Sequence, residues 1–147
     1  MEPLAQKKLI EYKKRFIKKL GYVVEVGSFD MEGGNRHLFE DADDFCGIDC
    51  KRGPGVDIVT DCAEIDRLFD FNPYIIICLD IFSRVVNKKK IIKAVRETLM
   101  PGGYLMVFVP QTGEGSCIDA LFNGYKVLDL TTVNRTICGI ARKPYKI

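Results

Sequence analysis

The chain has 147 residues, of which 47% are hydrophobic and 29% are charged, and its formal net charge is +2. This length and composition are typical of one globular domain and exclude a disordered or fibrous chain. Apolar runs stay well short of the roughly 20 residues that cross a bilayer, and the apolar residues near the N-terminus are interleaved with lysines, unlike a signal peptide. We therefore expect a cytoplasmic protein with no membrane partner, in which residues 1–147 form a single domain.

The first predicted element is a helix over residues 4–20. Its apolar residues recur at helical spacing, and Gly21 is expected to end it as a C-terminal glycine. Residues 1–20 carry a net charge of +5, which leaves −3 for the rest of the chain. Two interpretations stay open: the solvated face of an amphipathic helix, or a surface that attracts nucleic acid or another acidic partner. The basic residues are Lys7, Lys8, Lys13, Lys14, Arg15, Lys18 and Lys19.

Seven short runs rich in apolar and β-branched residues predict strands. The run at residues 74–79 is the most apolar, so we expect it at the centre of a sheet. The other strands are expected at residues 22–26, 45–49, 56–60, 104–109, 125–130 and 136–141. Helices are expected at residues 37–41, 88–99 and 116–122, with a short one after Asp61. Alternating strands and helices predict an α/β fold with a mainly parallel sheet.

The six cysteines do not form a recognisable metal motif. The closest pair, Cys46 and Cys50, has the spacing C-x-x-x-C, and His37 is the single histidine of the chain. A structural zinc site usually needs C-x-x-C pairs or several histidines. Most of the cysteines lie in or beside apolar runs, where a free thiol behaves as a small hydrophobe. We therefore expect reduced, packed cysteines and no metal site.

The stretch from Val23 to Asn35 reads V-V-E-V-G-S-F-D-M-E-G-G-N and is the most informative part of the chain. It combines a β-branched strand, an acidic residue and a glycine turn. Gly27 lets the chain turn sharply at the strand end, and the glycines that follow permit further tight backbone. A buried carboxylate at Glu25 would be costly unless amide or ammonium donors met it. The pattern predicts a backbone loop beside a bound ligand, and a nucleoside-type cofactor that carries an amino group is one way to supply donors to Glu25.

This stretch resembles the first motif of class I S-adenosylmethionine-dependent methyltransferases, in particular the compact type 11/12-like subgroup. Three further pieces resemble later motifs of the same family, in the same order. They are Gly47-Ile48-Asp49, the run from Gly53 to Asp61, and Leu99-Met100-Pro101-Gly102-Gly103-Tyr104-Leu105. The resemblance implies a Rossmann-like, twisted, mostly parallel sheet of about seven strands, with flanking helices and an antiparallel C-terminal strand. It also implies a basic N-terminal helix at residues 1–20, a cofactor-binding region at 21–110 and a hairpin region at 111–147.

The resemblance further implies S-adenosylmethionine as cofactor, and a role for each matching residue. Glu25 would face the methionine end, Asp49 would accept hydrogen bonds from the ribose hydroxyls, and Asp61 would accept the adenine amine. Each aspartate has an alternative: a solvated loop residue for Asp49 and a helix cap for Asp61. The glycines could equally serve turn geometry alone. The candidate cofactor-binding residues are Glu25, Gly27, Ser28, Gly33, Asp49, Cys50, Asp61, Cys62 and Leu79.

Asp80 is the candidate catalytic residue, because it follows the fourth predicted strand, where cofactor and methyl acceptor would meet. It could accept the proton of the acceptor or cap the next helix. The sequence Ser83-Arg84-Val85 departs from the Glu-His-Val that many relatives carry nearby. Asn72-Pro73-Tyr74 is a poor match to the N-P-P-Y motif of DNA adenine methyltransferases, because it begins a strand and does not end one.

The predicted function is methyl transfer from S-adenosylmethionine to an unidentified nucleophile. One alternative is a non-catalytic, methyltransferase-like interaction module. Another is a nicotinamide-dependent Rossmann oxidoreductase, which is disfavoured because G-S-F-D-M-E-G-G lacks the G-x-G-x-x-G that binds a pyrophosphate. The sequence leaves the acceptor and a homo-oligomeric state open.

Overall fold

The computed structural model describes residues 3–32, 34–79, 87–111 and 115–145. Within these ranges one sheet is flanked by helices on both faces. The strands are β1 (Tyr22–Val26), β2 (Asp44–Asp49), β3 (Ile58–Val59), β4 (Ile75–Leu79), β5 (Tyr104–Pro110), β6 (Lys126–Val133) and β7 (Thr136–Arg142). The α-helices are α1 (Pro3–Phe16), α2 (Lys88–Thr98) and α3 (Gly115–Phe122), and two short 3-10 helices cover Arg36–Phe39 and Cys62–Arg67.

The sheet has seven strands in the order β3-β2-β1-β4-β5-β7-β6. The five strands from β3 to β5 are parallel, while β7 pairs antiparallel with both β5 and β6. Strand β4 lies at the centre, as its continuous apolar run predicts, and β6 and β7 form the expected hairpin. The predicted fold class, a mostly parallel sheet of about seven strands with an antiparallel C-terminal strand, is confirmed.

Two apolar cores lie on the two faces of the sheet, because consecutive strand residues point to opposite sides. On β4, Ile77 packs toward α1, and Ile76 packs toward α2 and α3. Both isoleucines are fully buried. Since each face of β4 needs an apolar cover, its sequence is apolar at every position and not only at alternate ones.

Helix α1 is shorter than predicted. It ends at Phe16, although Ile17 and Leu20 continue the helical spacing and are both buried. Residues 17–21 leave the helix, and Gly21, at φ +58°, turns the chain into β1. The Gly21 carbonyl then accepts a hydrogen bond from Asp43 N just before β2. Tertiary contacts, which helical spacing cannot report, therefore decide where α1 ends.

Strand β3 is also shorter than predicted and covers two residues of the expected range 56–60. The reason is that Asp57 bonds to the backbone of Gly47 twice: Asp57 N donates to Gly47 O, and the Asp57 carboxylate accepts from Gly47 N. Val56 N closes a turn onto Gly53 O. The predicted helix at residues 37–41 is present as the 3-10 helix Arg36–Phe39.

None of the helices in the described part of the chain combines the length and the apolar character needed to cross a membrane.

Candidate functional site

The parallel strands β1 to β4 end at one edge of the sheet, which we call the carboxyl edge. In open α/β sheets ligands bind outside the carboxyl ends of the strands. Gly27 and Ser28 follow β1, Asp49 ends β2, and Leu79 ends β4. Asp61 and Cys62 follow β3. The fold therefore places eight of the nine predicted cofactor residues at or beside this edge, since Glu25 lies one residue before the end of β1 and Cys50 directly follows β2. Gly33 lies outside the described residues.

The turn after β1, residues 27–30, is held by hydrogen bonds to β2. Gly27 has φ +81°, a left-handed conformation that favours glycine. The amides of Gly27 and Ser28 both donate to the carbonyl of Ile48, at 2.9 and 3.0 Å. Ser28 is fully buried, and its hydroxyl oxygen has no hydrogen-bond partner among the described residues. The turn is thus built to a fixed shape at the edge of the sheet.

The loop between β2 and β3, residues 50–57, lies directly against this turn. A Cβ atom at Gly47 would come within 2.1 Å of the Gly55 carbonyl oxygen and 2.8 Å of Ser28 Oγ. A hydrogen bond of 3.1 Å from Asp30 N to Pro54 O joins the two segments. Glycine at position 47 is therefore a steric requirement, because any side chain would push the loop away from the turn.

Asp49 links the turn after β1 to the loop between β2 and β3 by hydrogen bonds. Its carboxylate accepts hydrogen bonds from Phe29 N at 3.0 Å and from Lys51 N at 3.1 Å, one on each oxygen. The residue is 1% exposed, which rules out a solvated loop aspartate. Phe29 packs against Gly53, where a Cβ atom would lie 2.2 Å from the ring, and Lys51 Nζ lies 4.5 Å from the ring centroid. Phe29 and Lys51 were not predicted, because no motif position marks them.

Glu25 is buried in β1, opposite Gly47 of β2 and Ile77 of β4. Its Oε2 accepts a hydrogen bond of 3.2 Å from Asn35 Nδ2. Burial raises the pKa of Glu25 to about 7, and the Asn35 hydrogen bond opposes that rise. A carboxyl group with such a pKa becomes an anion near neutral pH, and a cationic ligand group would favour that anion further.

Asp61 caps the 3-10 helix Cys62–Arg67, since its Oδ1 accepts a hydrogen bond of 2.9 Å from Ala63 N. The predicted cap is confirmed, and Asp61 is exposed. Burial raises the pKa of the Cys62 thiol to about 12, so it is neutral at physiological pH. Cys50 is exposed, and Leu79 is half-buried at the end of β4.

Two predicted residues, Gly33 and the catalytic candidate Asp80, lie outside the described residues, as does the Ser83-Arg84-Val85 segment. Asn72-Pro73-Tyr74 lies at the opposite edge of the sheet. There Tyr74 N donates to Tyr22 O at the start of β1, so the tripeptide is far from the carboxyl ends of the strands.

None of the six cysteines, all of which lie in the described ranges, forms a disulfide bond, and only Cys50 among them is exposed. The described ranges contain no cluster of three or more histidine, cysteine or acidic side chains that could hold a metal ion.

The part of the chain described between β1 and β3 contains no α-helix. The chain passes from β1 to β2 through the 3-10 helix Arg36–Phe39, and from β2 to β3 through the loop at residues 50–57. A dinucleotide-binding fold, by contrast, directs the N-terminus of a helix from the first turn onto the pyrophosphate. Here the amides of the first turn donate to Ile48, Asp49 and Pro54, and no helix N-terminus follows the turn in the described residues.

Solved methyltransferases have the same fold. The N-methyltransferase NodS from Bradyrhizobium japonicum, in complex with S-adenosylhomocysteine, superposes with a TM-score of 0.74 and 12% identity over 97% of this chain and 89% of that one. An S-adenosylmethionine-dependent methyltransferase from Clostridium acetobutylicum superposes with a TM-score of 0.68 and 12% identity, over 95% of this chain and 90% of that one. A Streptococcus mutans protein in complex with S-adenosylhomocysteine superposes with a TM-score of 0.68 and 15% identity, over 97% of this chain and 99% of that one.

The sequence matches no protein-family model and no curated protein. At these low identities the superpositions establish the architecture, which agrees with the strand order and the antiparallel β7. The chain therefore has the Rossmann-like fold of the class I methyltransferases.

Proposed function

We propose that the protein binds S-adenosylmethionine at the carboxyl edge and transfers its methyl group to a nucleophilic acceptor. The observation that carries this proposal is the set of carboxylates at the ends of three adjacent strands: Glu25 in β1, Asp49 in β2 and Asp61 after β3. The likeness to NodS and to the Streptococcus mutans protein, both in complex with S-adenosylhomocysteine, supports the same cofactor here.

The residues present fit the parts of this cofactor. Glu25, buried with one amide donor, is suited to the cationic α-amino group, because a positive charge would offset the cost of an ionised carboxylate in the core. Asp49 and Asp61 would hold the ribose hydroxyls and the adenine amine. The backbone of Gly27 and Ser28 would line one side of the cofactor site. When bound, the cofactor's sulfonium supplies the methyl group.

We propose that Asp80 accepts the proton that the nucleophile loses when it is methylated. It follows Leu79, the last residue of β4, in the chain, and β4 ends at the carboxyl edge. Methyl transfer from a sulfonium needs little acid–base help, since alignment of the nucleophile with the methyl group supplies most of the rate. One carboxylate beside the aligned groups is therefore sufficient for the chemistry.

The nicotinamide alternative is weakened by the local structure. The segment after Gly27 leads to a 3-10 helix that begins only at Arg36, so the first turn has no helix N-terminus with which to bind a pyrophosphate. The non-catalytic module would bind the cofactor in the same way and differs only in turnover. Cofactor binding and methyl transfer must therefore be measured separately.

Calorimetric titration of the purified chain tests the proposal. We expect S-adenosylmethionine and S-adenosylhomocysteine to bind and NAD not to bind. The matched variant Glu25→Gln keeps the side-chain volume but loses the charge, and we expect it to bind roughly 10- to 100-fold more weakly, as loss of a charge-assisted hydrogen bond implies. Binding of NAD alone would end the methyltransferase proposal. Cofactor binding without turnover on any acceptor fraction would favour the interaction module.

We also propose that the outer face of α1 and the residues just after it contact an anionic partner, nucleic acid being the first choice. Lys8 and Lys13 are engaged within the protein, with Asp129 and Asp41 respectively. The other five basic residues of this segment are exposed, and no ion pair of theirs is seen among the described residues. They are Lys7, Lys14, Arg15, Lys18 and Lys19.

The combined change Lys14→Ala, Arg15→Ala and Lys18→Ala tests this surface. If the three cations contact phosphates, the variant should bind single-stranded RNA more weakly. The slope of log affinity against log salt should also fall by up to about 2. The control is Arg67→Ala, Lys126→Ala and Arg135→Ala, which removes the same charge from exposed positions elsewhere. Equal losses in the two variants would mean that α1 acts only through net charge and would contradict the proposal.

A further inference from the structure

A chain of hydrogen bonds connects helix α1 to the buried carboxylate of β1. Gln6 Nε2, on the first turns of α1, donates to Asn35 Oδ1 at 3.0 Å. Asn35 Nδ2 then donates to Glu25 Oε2 at 3.2 Å. Asn35 and Glu25 are each 1% exposed. Gln6, Asn35 and Glu25 thus form one chain of hydrogen bonds from the half-buried Gln6 to the buried Glu25, which we call the relay.

The direction of the donors in the relay is not arbitrary. An amide side chain has one accepting oxygen and one donating nitrogen. Because Gln6 donates to the Asn35 oxygen, the Asn35 nitrogen is left to face Glu25, and both bonds run toward the carboxylate. This arrangement favours the ionised form of Glu25, whereas burial favours the neutral form. For packing alone, apolar side chains would serve here without the cost of burying polar groups.

The charged side chains that influence Glu25 among the described residues do not replace the relay. Asp30, in the turn after β1, raises the pKa of the Glu25 carboxyl, and Arg36, at the start of the 3-10 helix, lowers it. Both are weaker influences than burial and the Asn35 hydrogen bond. Asn35 is therefore the described side chain that most strongly favours the Glu25 anion.

Helix α1 is fixed to the sheet independently of the relay. Leu9 and Tyr12 are fully buried in the core between α1 and the sheet. Tyr12 Oη donates a hydrogen bond of 2.7 Å to Asp129 on β6, and Lys13 Nζ donates to Leu38 O at 2.6 Å. Because these contacts hold the helix, Gln6 presents its amide to Asn35 from a rigid element.

We propose that Asn35 and Gln6 are positioning residues for the Glu25 carboxylate, so that α1 forms part of the cofactor site. Asn35 orients Glu25 and favours its ionised form, and Gln6 fixes the orientation of Asn35. The link to the cofactor rests on the proposed function, but the effect on Glu25 does not, and it can be measured without any ligand.

The first test follows Glu25 in the ligand-free protein by carbon-13 NMR of its side-chain carboxyl from pH 5 to pH 9. Asn35→Leu should move the titration midpoint upward by roughly one pH unit, because the carboxylate loses its donor. Gln6→Leu should move it upward by less. The control Lys13→Ala breaks other polar contacts of α1 and should leave the midpoint unchanged. Gln6 is half-buried, so its variant keeps the test decisive if Asn35→Leu fails to fold.

The second test measures S-adenosylhomocysteine affinity across the same pH range. Asn35→Leu should bind roughly fivefold more weakly at pH 7, because a midpoint raised by one unit leaves about one tenth of Glu25 ionised against about half in the wild type. It should recover toward wild-type affinity at pH 9, where Glu25 is ionised in both proteins. A merely structural defect would not recover with pH. An unchanged Glu25 midpoint in folded Asn35→Leu and Gln6→Leu overturns the relay. A shifted midpoint in a protein that binds no S-adenosylhomocysteine supports the relay and overturns the proposed function.

Discussion

Replacement of Glu25 by glutamine is expected to remove about 3 kcal/mol of pH dependence from the free energy of unfolding. In the folded protein the pKa of Glu25 is raised from 4.5 to about 7, mainly by burial. Between these two values the folded state holds a proton that the unfolded state has released. The stability that Glu25 contributes is therefore fully present below pH 4.5 and is lost as the pH rises through about 7.

Urea unfolding of the wild type and Glu25→Gln at pH 4.5, 6, 7 and 8.5 measures this effect. The difference in unfolding free energy between the two proteins should grow with pH in favour of the variant. Groups that titrate in both proteins cancel in that difference, so it isolates Glu25. If the unfolding free energies of the two proteins changed in parallel over the whole pH range, Glu25 would titrate normally and would not be buried as described.

This expectation, together with the proposed binding role, predicts a conflict between stability and function. The ionised Glu25 that suits a cationic ligand also destabilises the ligand-free protein at neutral pH. A bound ammonium group would offset this cost, so S-adenosylhomocysteine should stabilise the wild type more than it stabilises Glu25→Gln. Thermal unfolding with and without that compound at pH 7.5 would measure the gain.

Replacement of Asp49 by alanine is expected to destabilise the protein by about 2–4 kcal/mol and to weaken cofactor binding. Two backbone amides, those of Phe29 and Lys51, would lose a charged acceptor at a buried site. The turn after β1 and the loop after β2 would then be held together mainly by their remaining backbone bond and glycine contacts. Asp49→Asn should cost less, because its side-chain oxygen can still accept one of the two amides.

Urea unfolding and calorimetric titration with S-adenosylhomocysteine, both at 10 °C to keep the variants folded, separate the two roles of Asp49. The control Asp70→Ala removes an exposed carboxylate and should change stability by less than about 0.5 kcal/mol. An Asp49→Ala variant as stable as the control would show that the hydrogen bonds from Phe29 and Lys51 to Asp49 do not stabilise the protein. A destabilised variant with wild-type affinity would leave Asp49 a structural residue and remove it from the proposed cofactor site.

Predictions from the sequence succeeded where a pattern is local and repeated. The apolar run of β4 needs no partner to be recognised, because a strand buried on both faces is apolar at every position. The helix α2 could be predicted in the same way from its apolar spacing and from Pro101 beyond it. The glycine turn after β1 was also predicted, because a glycine directly after a strand favours a sharp turn, and Gly27 adopts the left-handed backbone that few other residues adopt.

Predictions were less accurate where long-range contacts outweigh local preference. Helical spacing continues to Leu20, yet the chain leaves the helix after Phe16 to bury Ile17 and Leu20 and to reach β1. The run at residues 56–60 has the composition of a strand, yet Asp57 is held by hydrogen bonds to Gly47 and only Ile58 and Val59 pair with β2.

The sequence alone predicted an α/β fold and the ends of its strands, because these follow from local patterns of apolar residues and glycine. The resemblance to the methyltransferases predicted which acids lie at those ends. The tertiary structure decided the order of the strands. The tertiary structure alone decided what those acids contact. Asp49 reaches the amide of Phe29, and Glu25 reaches Gln6 through Asn35, across intervals of the chain that no motif spans. Hydrogen bonds between residues distant in sequence form only after the sheet has brought its strands together, so local sequence patterns cannot report them.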